Sequence, residues 1–581
     1  MKALNLTVLL LFISLQCYGQ LHTFKADDPV SAKEMNENFQ HLENQFRGTK
    51  SINIDCANGG SISAAIANGF NDITVLGTCS ENLRYTVWRD DSVDAYVPSG
   101  KFAPRFLKIT GANQTAKIKD ASSNSESLIY AAGGLTIFLK DITLEGGRRG
   151  VVGKRNSNLL LSNVTVGSFR DRGVDVQDSS YLGIDEGGVK IIGTNSTETD
   201  RGLNLGTGST GWVSKVNISN VKRGITLYSG SFLTISEYTI TASKRGIEIQ
   251  DSGFDDSSSS DSSIEGSNEF ALKVSNGSFY NRKGKLEIKN LNGGRAINFE
   301  QSNGSIRNLK ITDFEKIGEN YVNLILVDSG SVLLMGDSEV TGNFDRLLQL
   351  EGGSSASLLQ VKFTGESVDK LIAASNGSNL GIFNNSILNV LSGKTSVDIW
   401  GNSRLKMDNS TISGSLTDRL LALDQGSTSE IRDSTITCIS CEKAIDVLKD
   451  SSLNLYDVDV LSANKGITVQ KNSYLEMSSG SSVSSENEPA IAVSLGSGVD
   501  IRGSTVTSTG KQAINIYFSS WASIVDENSN INRIDPGADI VISEGILRFA
   551  DTTTIVDEIS CSSRGFVSGA EGRVNNLGDG C

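Results

Sequence analysis

The dominant pattern along the chain is a small residue followed by aliphatic, any residue, aliphatic. Copies of it begin at Val151, Val174, Leu203, Ile225, Ile247, Leu272, Ile297, Ile325, Leu348, Ile372, Val397, Leu421, Ile445, Ile467, Ile491, Ile514 and Ile540, and Leu128 fits as an earlier member. The spacing runs from 22 to 29 residues. Gly246-Ile247-Glu248-Ile249 and Gly466-Ile467-Thr468-Val469 show the form. Aliphatics at alternate positions predict a strand with one buried face. Serine stands six residues after the first aliphatic in 14 of the 17 copies that start at Val151, from Ser157 and Ser180 to Ser497 and Ser520. A second apolar pair often follows, as in Leu405/Met407 and Leu453/Leu455. Each repeat therefore holds at least two strands and a serine turn, and it is too short for a strand-helix unit.

A strand set that must bury one face in every repeat is satisfied by coiling, each turn pairing in parallel with the next at about 4.8 Å. Right-handed coiling is the rule for parallel crossovers. The fold class is thus all-β, a right-handed parallel β-helix of about eighteen rungs. Seventeen steps at that spacing amount to roughly 80 Å. Stacked Ile, Val and Leu form the core, each worth about 1.5–3 kcal/mol on burial. The serine column reads as a hydroxyl ladder along a turn, since no base accompanies it. Ser61–Asn68, between Cys56 and Cys79, reads as a short helix plugging the open core, and Cys561 and Cys581 close a Gly-rich segment at the other end.

Residues 1–19 read as a signal peptide: Lys2, then an apolar run from Leu6 to Leu15, then small residues before Gln20. The run is about half the ~20 residues that span a bilayer, and no later stretch is long enough, so no membrane insertion is expected. A lipoprotein reading through Cys17 is weaker because Gln16 is bulky. The expected organisation continues with a short amphipathic helix segment (20–50), an N-terminal cap with an inserted loop (51–105), the β-helix (106–556) and a C-terminal cap (557–581). After loss of Cys17 six cysteines remain, in local pairs Cys56/Cys79, Cys438/Cys441 and Cys561/Cys581, which an exported chain is expected to oxidise. The net charge of −14 argues against nucleic acid or an anionic membrane as partner.

The segment Ile52–Leu83 (INIDCANGGSISAAIANGFNDITVLGTCSENL) resembles the opening of secreted bacterial β-helix proteins of the pectin-lyase-like fold. The resemblance covers under a tenth of the chain. It implies fold and export, and leaves activity open, because that fold carries lyases, hydrolases, esterases, tailspikes and adhesins.

No complete catalytic constellation is present. The only histidines, His22 and His41, precede the β-helix, whereas polygalacturonase-like chemistry would need clustered Asp and a histidine. Val397-Asp398-Ile399-Trp400 is a near miss for a pectin methylesterase strand, and Asp398 reads as an outward strand residue. A lyase would need a base, and often Ca²⁺ on outward carboxylates. The best outward cluster for that is Glu248, Lys273, Asn298 and Glu300, also readable as a cross-rung ion pair. Asp255, Asp256, Asp261 and Glu265 read as a solvated acidic excursion without calcium-loop spacing. No cofactor motif and no metal-ligand spacing occurs. Outward aromatics suited to sugar stacking are Tyr228, Trp400, Tyr517 and Trp521, too scattered for one platform. An insertion from Arg84 to Arg105 gathers Tyr85, Trp88, Arg89, Asp90, Asp91 and Tyr96, as a ligand rim or as a loop packed on the β-helix.

The most informative charges stand two residues before each first aliphatic. Arg149, Arg172, Arg201, Arg223 and Arg245 come from consecutive rungs, and Arg295, Arg346, Lys370, Arg419, Lys443 and Lys465 extend the column. Like charges at rung spacing repel by roughly 1 kcal/mol in water and more near protein, so something must compensate. Acids immediately before the column, among them Asp171, Asp200, Glu269, Asp369 and Glu442, suggest an ion-pair ladder. The alternative is a polyanion-binding groove at Arg149, Arg172, Arg201, Arg223 and Arg245. The functional expectation is a secreted, non-enzymatic β-helix that binds extracellular or cell-surface polysaccharide or serves as a surface or adhesive module. The alternative is a polysaccharide-degrading enzyme, a lyase first. Residues 31–46 carry a capping box, Ser31 to Glu34, and an apolar stripe of Met35, Phe39, Leu42 and Phe46. That stripe must dock on its own β-helix, on another copy, which would make a homo-oligomer, or on a surface partner.

Overall fold

The computed structural model describes residues 49–86, 105–123, 125–194, 199–256, 259–315, 323–415, 417–525, 529–533, 538–550, 556–562, 564–569, 574–578 and 581. The expected helix over residues 31–46 lies outside them. The chain divides into two compact units, Met1–Thr239 and Ile240–Cys581. Both are parallel β-solenoids, and the described residues make about 19 turns in all.

In the first unit a turn typically contributes three strands, one more than the apolar pattern makes obvious, and in Thr210–Tyr228 they run together as one. Strands Arg149–Lys154, Asn158–Ser162 and Val164–Phe169 make one turn. They pair in parallel with Arg172–Val176, Tyr181–Ile184 and Val189–Gly193 of the next. The aliphatic column is in register, Val151 opposite Val174, Val174 opposite Leu203 and Leu203 opposite Ile225. All four side chains are fully buried.

Parallel pairing already joins Ser51–Asp55 to Asp72–Leu76, and that strand to Phe106–Gly111, so the cap segment carries strands of its own. The helix there spans Ile62–Ala67, where the Ser61 hydroxyl accepts from the Ala64 N–H. The Glu81 carboxylate accepts from the Ile62 and Ser63 N–H groups at 2.6 and 2.9 Å, satisfying donors that a helix start leaves bare. Ile62, Ala65 and Ile66 are buried. Cys56 and Cys79 are bonded beside this helix. The expected insertion begins later than Arg84. Leu83–Thr86 is a strand on Ser127–Ala132, and Tyr85 is a core residue whose burial pushes its phenol pKa up. Trp88, Arg89, Asp90, Asp91 and Tyr96 lie outside the described residues.

In the second unit the column runs in register from Ile247 through Leu272, Ile297, Ile325, Leu348 and Ile372 to Val397. It continues through Leu421, Ile445, Ile467, Ile491, Ile514 and Ile540 to Ile559. Disulfides join Cys438 to Cys441 and Cys561 to Cys581.

The serine column has a clear physical task. Before each of its turns stand two residues with positive φ, such as Arg155 (55°) and Asn156 (62°), or Phe518 (56°) and Ser519 (59°). Two successive left-handed residues mark a tight turn of the kind that favours Asn and Gly, which accounts for the Gly- and Asn-rich composition. The serine after them donates its hydroxyl to the carbonyl three residues back, as Ser427 does to Asp424 and Ser403 to Trp400. The Ser451 hydroxyl accepts from the Ser427 N–H at 3.2 Å, and the Ser473 hydroxyl accepts from the Ser451 N–H at 3.3 Å. Two rungs that lack serine at the sixth position use Ser252 and Ser302 one residue earlier, whose N–H groups donate to Ser278 and Ser331. A second ladder occupies another turn: the Ser410 N–H donates to Ser434, and the Val458 N–H to Ser481.

Candidate functional site

Two outward surfaces carry concentrated polar chemistry. The first is the arginine column in the first unit. Arg149, Arg172, Arg201 and Arg223 stand in register on successive rungs. Each has carboxylate partners. Arg149 reaches Asp171 at 3.4 Å and Asp175 at 3.1 Å. Arg172 holds both oxygens of Asp175, at 3.1 and 3.2 Å. Arg201 and Arg223 share Asp200, at 3.1 and 3.5 Å.

Asp175 is the centre of this network. It is fully buried, and besides the two guanidiniums it accepts from the Gln177 and Asn204 side-chain amides at 2.9 and 2.7 Å. Arg201 in turn donates to Asn204 at 2.7 Å. The Tyr228 ring lies over Gly206, where a β-carbon would come within 2.2 Å of it, and its hydroxyl accepts from Gln177 at 3.0 Å. Burial alone would lower the Arg172 pKa, but Asp175 and Asp171 outweigh it and the net shift is upward.

The same device recurs in the second unit. Arg245 bonds Glu248 and reaches Glu269 at 2.7 Å, and its pKa is raised because these carboxylates outweigh burial. Arg419 and Lys443 share Asp446, at 3.0 and 3.3 Å, and Lys370 bonds Asp398. Acids before the column were visible in the sequence. The partners three residues after it were missed: Arg172-Gly-Val-Asp175, Arg201-Gly-Leu-Asn204, Arg245-Gly-Ile-Glu248 and Lys443-Ala-Ile-Asp446 repeat a base-x-x-acid or amide signal.

Of the other candidates, Glu248, Lys273 and Asn298 are in register, and Lys273 reaches Glu300 at 3.6 Å. The acidic excursion is corrected in part. Gly253–Asp256 is a strand, and Asp256 forms an ion pair with Arg282, both fully buried. The Arg282 guanidinium also donates to the Ser260 and Lys285 carbonyls, at 2.7 and 2.5 Å, which is what allows a charge there. Tyr517 packs edge-on against Phe518 at 5.2 Å, and Trp521 stands 6.1 Å from Tyr474. Among the described residues no three His, Cys, Asp or Glu side chains converge to hold a metal ion. No described helix is long and apolar enough to cross a membrane.

The second surface went unnoticed in the sequence. In the second unit an open depression of about 540 Å³ lies on the face of the second strand of the turn. Two outward columns form it. Ser355, Asn379, Arg404, Thr428 and Ser452 are in register, and beside them Ser357, Gly381, Lys406, Glu430 and Asn454. The hollow exists because Ser357 and Gly381 are small where Lys406 and Glu430 are long. The Phe383 ring covers Gly381, where a β-carbon would lie 2.4 Å from it. The signal available beforehand was a run of small and hydroxylated outward residues interrupted by Arg404-Leu-Lys406.

The family model described as a right-handed β-helix region matches residues 127–290, which fixes the hand of the coil expected from the crossover rule. Among curated proteins no sequence matches. A solved structure, a mutant of the periplasmic alginate epimerase AlgG, is 11% identical, with a TM-score of 0.24, over 64% of this chain and 77% of that one.

Proposed function

We propose that this is an extracellular, non-enzymatic polysaccharide-binding protein, and that the depression between Ser355 and Asn454 is where the glycan lies. The observation that carries the reading is the lining of that depression. Ser355, Ser357, Thr428 and Ser452 offer hydroxyls, Asn379 and Asn454 offer amides, and Phe383 offers a ring edge, all on strands held rigid by the parallel ladder. Such side chains match the vicinal hydroxyls and apolar ring faces of sugars. A repeat of about 4.8 Å between rungs presents the same donors again and again to a polymer laid across them. Export is supported by the leader-like N-terminus and by the three disulfides. The arginine column reads as support for the fold, since its guanidiniums already hold carboxylates.

The test is a binding panel of acidic and neutral polysaccharides against the full chain, with parallel assays for unsaturated and reducing ends. Binding without turnover, weakened by Ser357→Trp filling the hollow, is the expected result. Release of unsaturated ends would instead establish a lyase.

A further inference from the structure

We infer that the glycan in this groove is anionic, its carboxylate or sulfate oxygens held by Arg404 and Lys406. The inference rests on the glycan-binding reading above and adds the charge class of the ligand. Arg404 and Lys406 are alternate residues of the strand Arg404–Asp408, so both point outward, about 7 Å apart. Both are exposed, and neither makes an ion pair among the described residues, although the chain carries a net charge of −14.

Glu430, opposite Lys406 in the register, accepts from Arg432 at 2.8 Å, and Asp408 stands opposite Arg432. Arg432 itself lies 4.7 Å from the Tyr456 ring centroid. Three cations against two carboxylates leave this part of the face positive. A guanidinium fork matches the planar pair of oxygens of a carboxylate or sulfate, while an ammonium acts as a point charge beside it. The hydroxyls and amides of Asn379, Thr428 and Asn454 then take the neutral part of the sugar. A nucleic acid would meet the same two cations, and single-stranded DNA is therefore one of the probes below.

The experiment uses the full chain, the double variant Arg404→Gln/Lys406→Gln, and Lys362→Gln as a control, since Lys362 pairs with Glu339 at 3.2 Å. The probes are a polyuronate, a sulfated galactan free of uronate, a neutral β-glucan and single-stranded DNA, each at low and high salt. The expected result is salt-sensitive binding of one or both acidic glycans, lowered at least tenfold in the double variant and unchanged in the control. Binding of the polyuronate alone identifies a carboxylate, and of the galactan alone a sulfate. Neutral glucan bound equally by wild type and double variant, with no preference for acidic chains, overturns the charge class and keeps the function. DNA bound as well as the glycans, and lost with them in the double variant, overturns the saccharide class. No glycan bound at all overturns both.

Discussion

The stretch around Asp175 and the groove around Lys406 use the same alphabet on the same kind of rung. In the first, Arg149 and Arg172 converge on one buried carboxylate, which two amides also serve. In the second, Arg404 and Lys406 are exposed and neither makes an ion pair among the described residues, since Glu430, opposite Lys406 in the register, is bonded to Arg432. What differs is the column. The arginine column lies beside a turn, and most of its cations meet a carboxylate three residues on, just before it or on a neighbouring rung. The groove columns run through Ser, Asn, Gly, Arg, Lys, Thr and Glu, and each cation there has a small or neutral neighbour on the preceding rung. In a solenoid, then, the role of an arginine is set by what its column repeats, and a break in the repeat is where a ligand can act.

The largest effect expected from breaking the comparison is at Asp175. Asp175→Ala leaves Arg149 and Arg172 without the carboxylate that both hold, and removing one partner of a buried pair costs about 3–5 kcal/mol. Denaturant unfolding should show that loss. A cost under about 1 kcal/mol would mean that the network is decoration. Next comes the hydroxyl ladder: Ser451→Ala strips the buried Ser427 N–H of its acceptor, for a cost of about 1–3 kcal/mol. A serine that merely tolerates its turn would cost far less.

The fold was legible because burial has a period. Val151, Val174, Leu203 and Ile225 had to share a face, and nothing but stacking places them in register. The serine ladder was legible as a column, although its gaps at Ser252 and Ser302 were not, since a one-residue shift in the turn removes the match in spacing. The Asp256–Arg282 pair was hidden for a different reason. Each residue taken alone reads as solvated, and only the parallel register sets them opposite one another. The groove was hidden because a hollow is made by what is small, and Gly381 and Ser357 carry no pattern that strand alternation would flag.

A smaller effect sharpens the contrast from the other side. Arg404→Gln and Lys406→Gln should each change stability by less than about 0.5 kcal/mol, as exposed positions without partners do. The comparison is direct, because the same chemical change at Arg172 removes a two-pronged bond to Asp175. A large stability loss at Arg404 would show that it is bound to the fold, and would weaken its assignment to a ligand.

The smallest effect is a pH dependence confined to the ladder. Glu269 sits between Arg245 at 2.7 Å and Lys244 at 3.4 Å. Burial raises its pKa, but these two cations outweigh it and leave the carboxyl below its ordinary value. Glu145 is lowered in the same direction, chiefly by its bond to Lys117. A carboxylate whose folded pKa is depressed binds its proton first in the unfolded chain, so its stabilisation is present at neutral pH. That stabilisation is lost as the pH falls from the ordinary carboxylate value, about 4.3 for Glu, through the lower folded one. Glu269 is part-exposed, so the effect is screened and shrinks further with salt. Unfolding of wild type and Glu269→Gln should therefore differ at pH 7 and converge toward pH 3. Arg404→Gln should track wild type across the whole range, because no carboxylate is tied to it. A gap between wild type and Glu269→Gln that is the same at both pH values would show that Glu269 contributes by shape and hydrogen bonding alone, and the electrostatic account of the ladder would then fail at that rung.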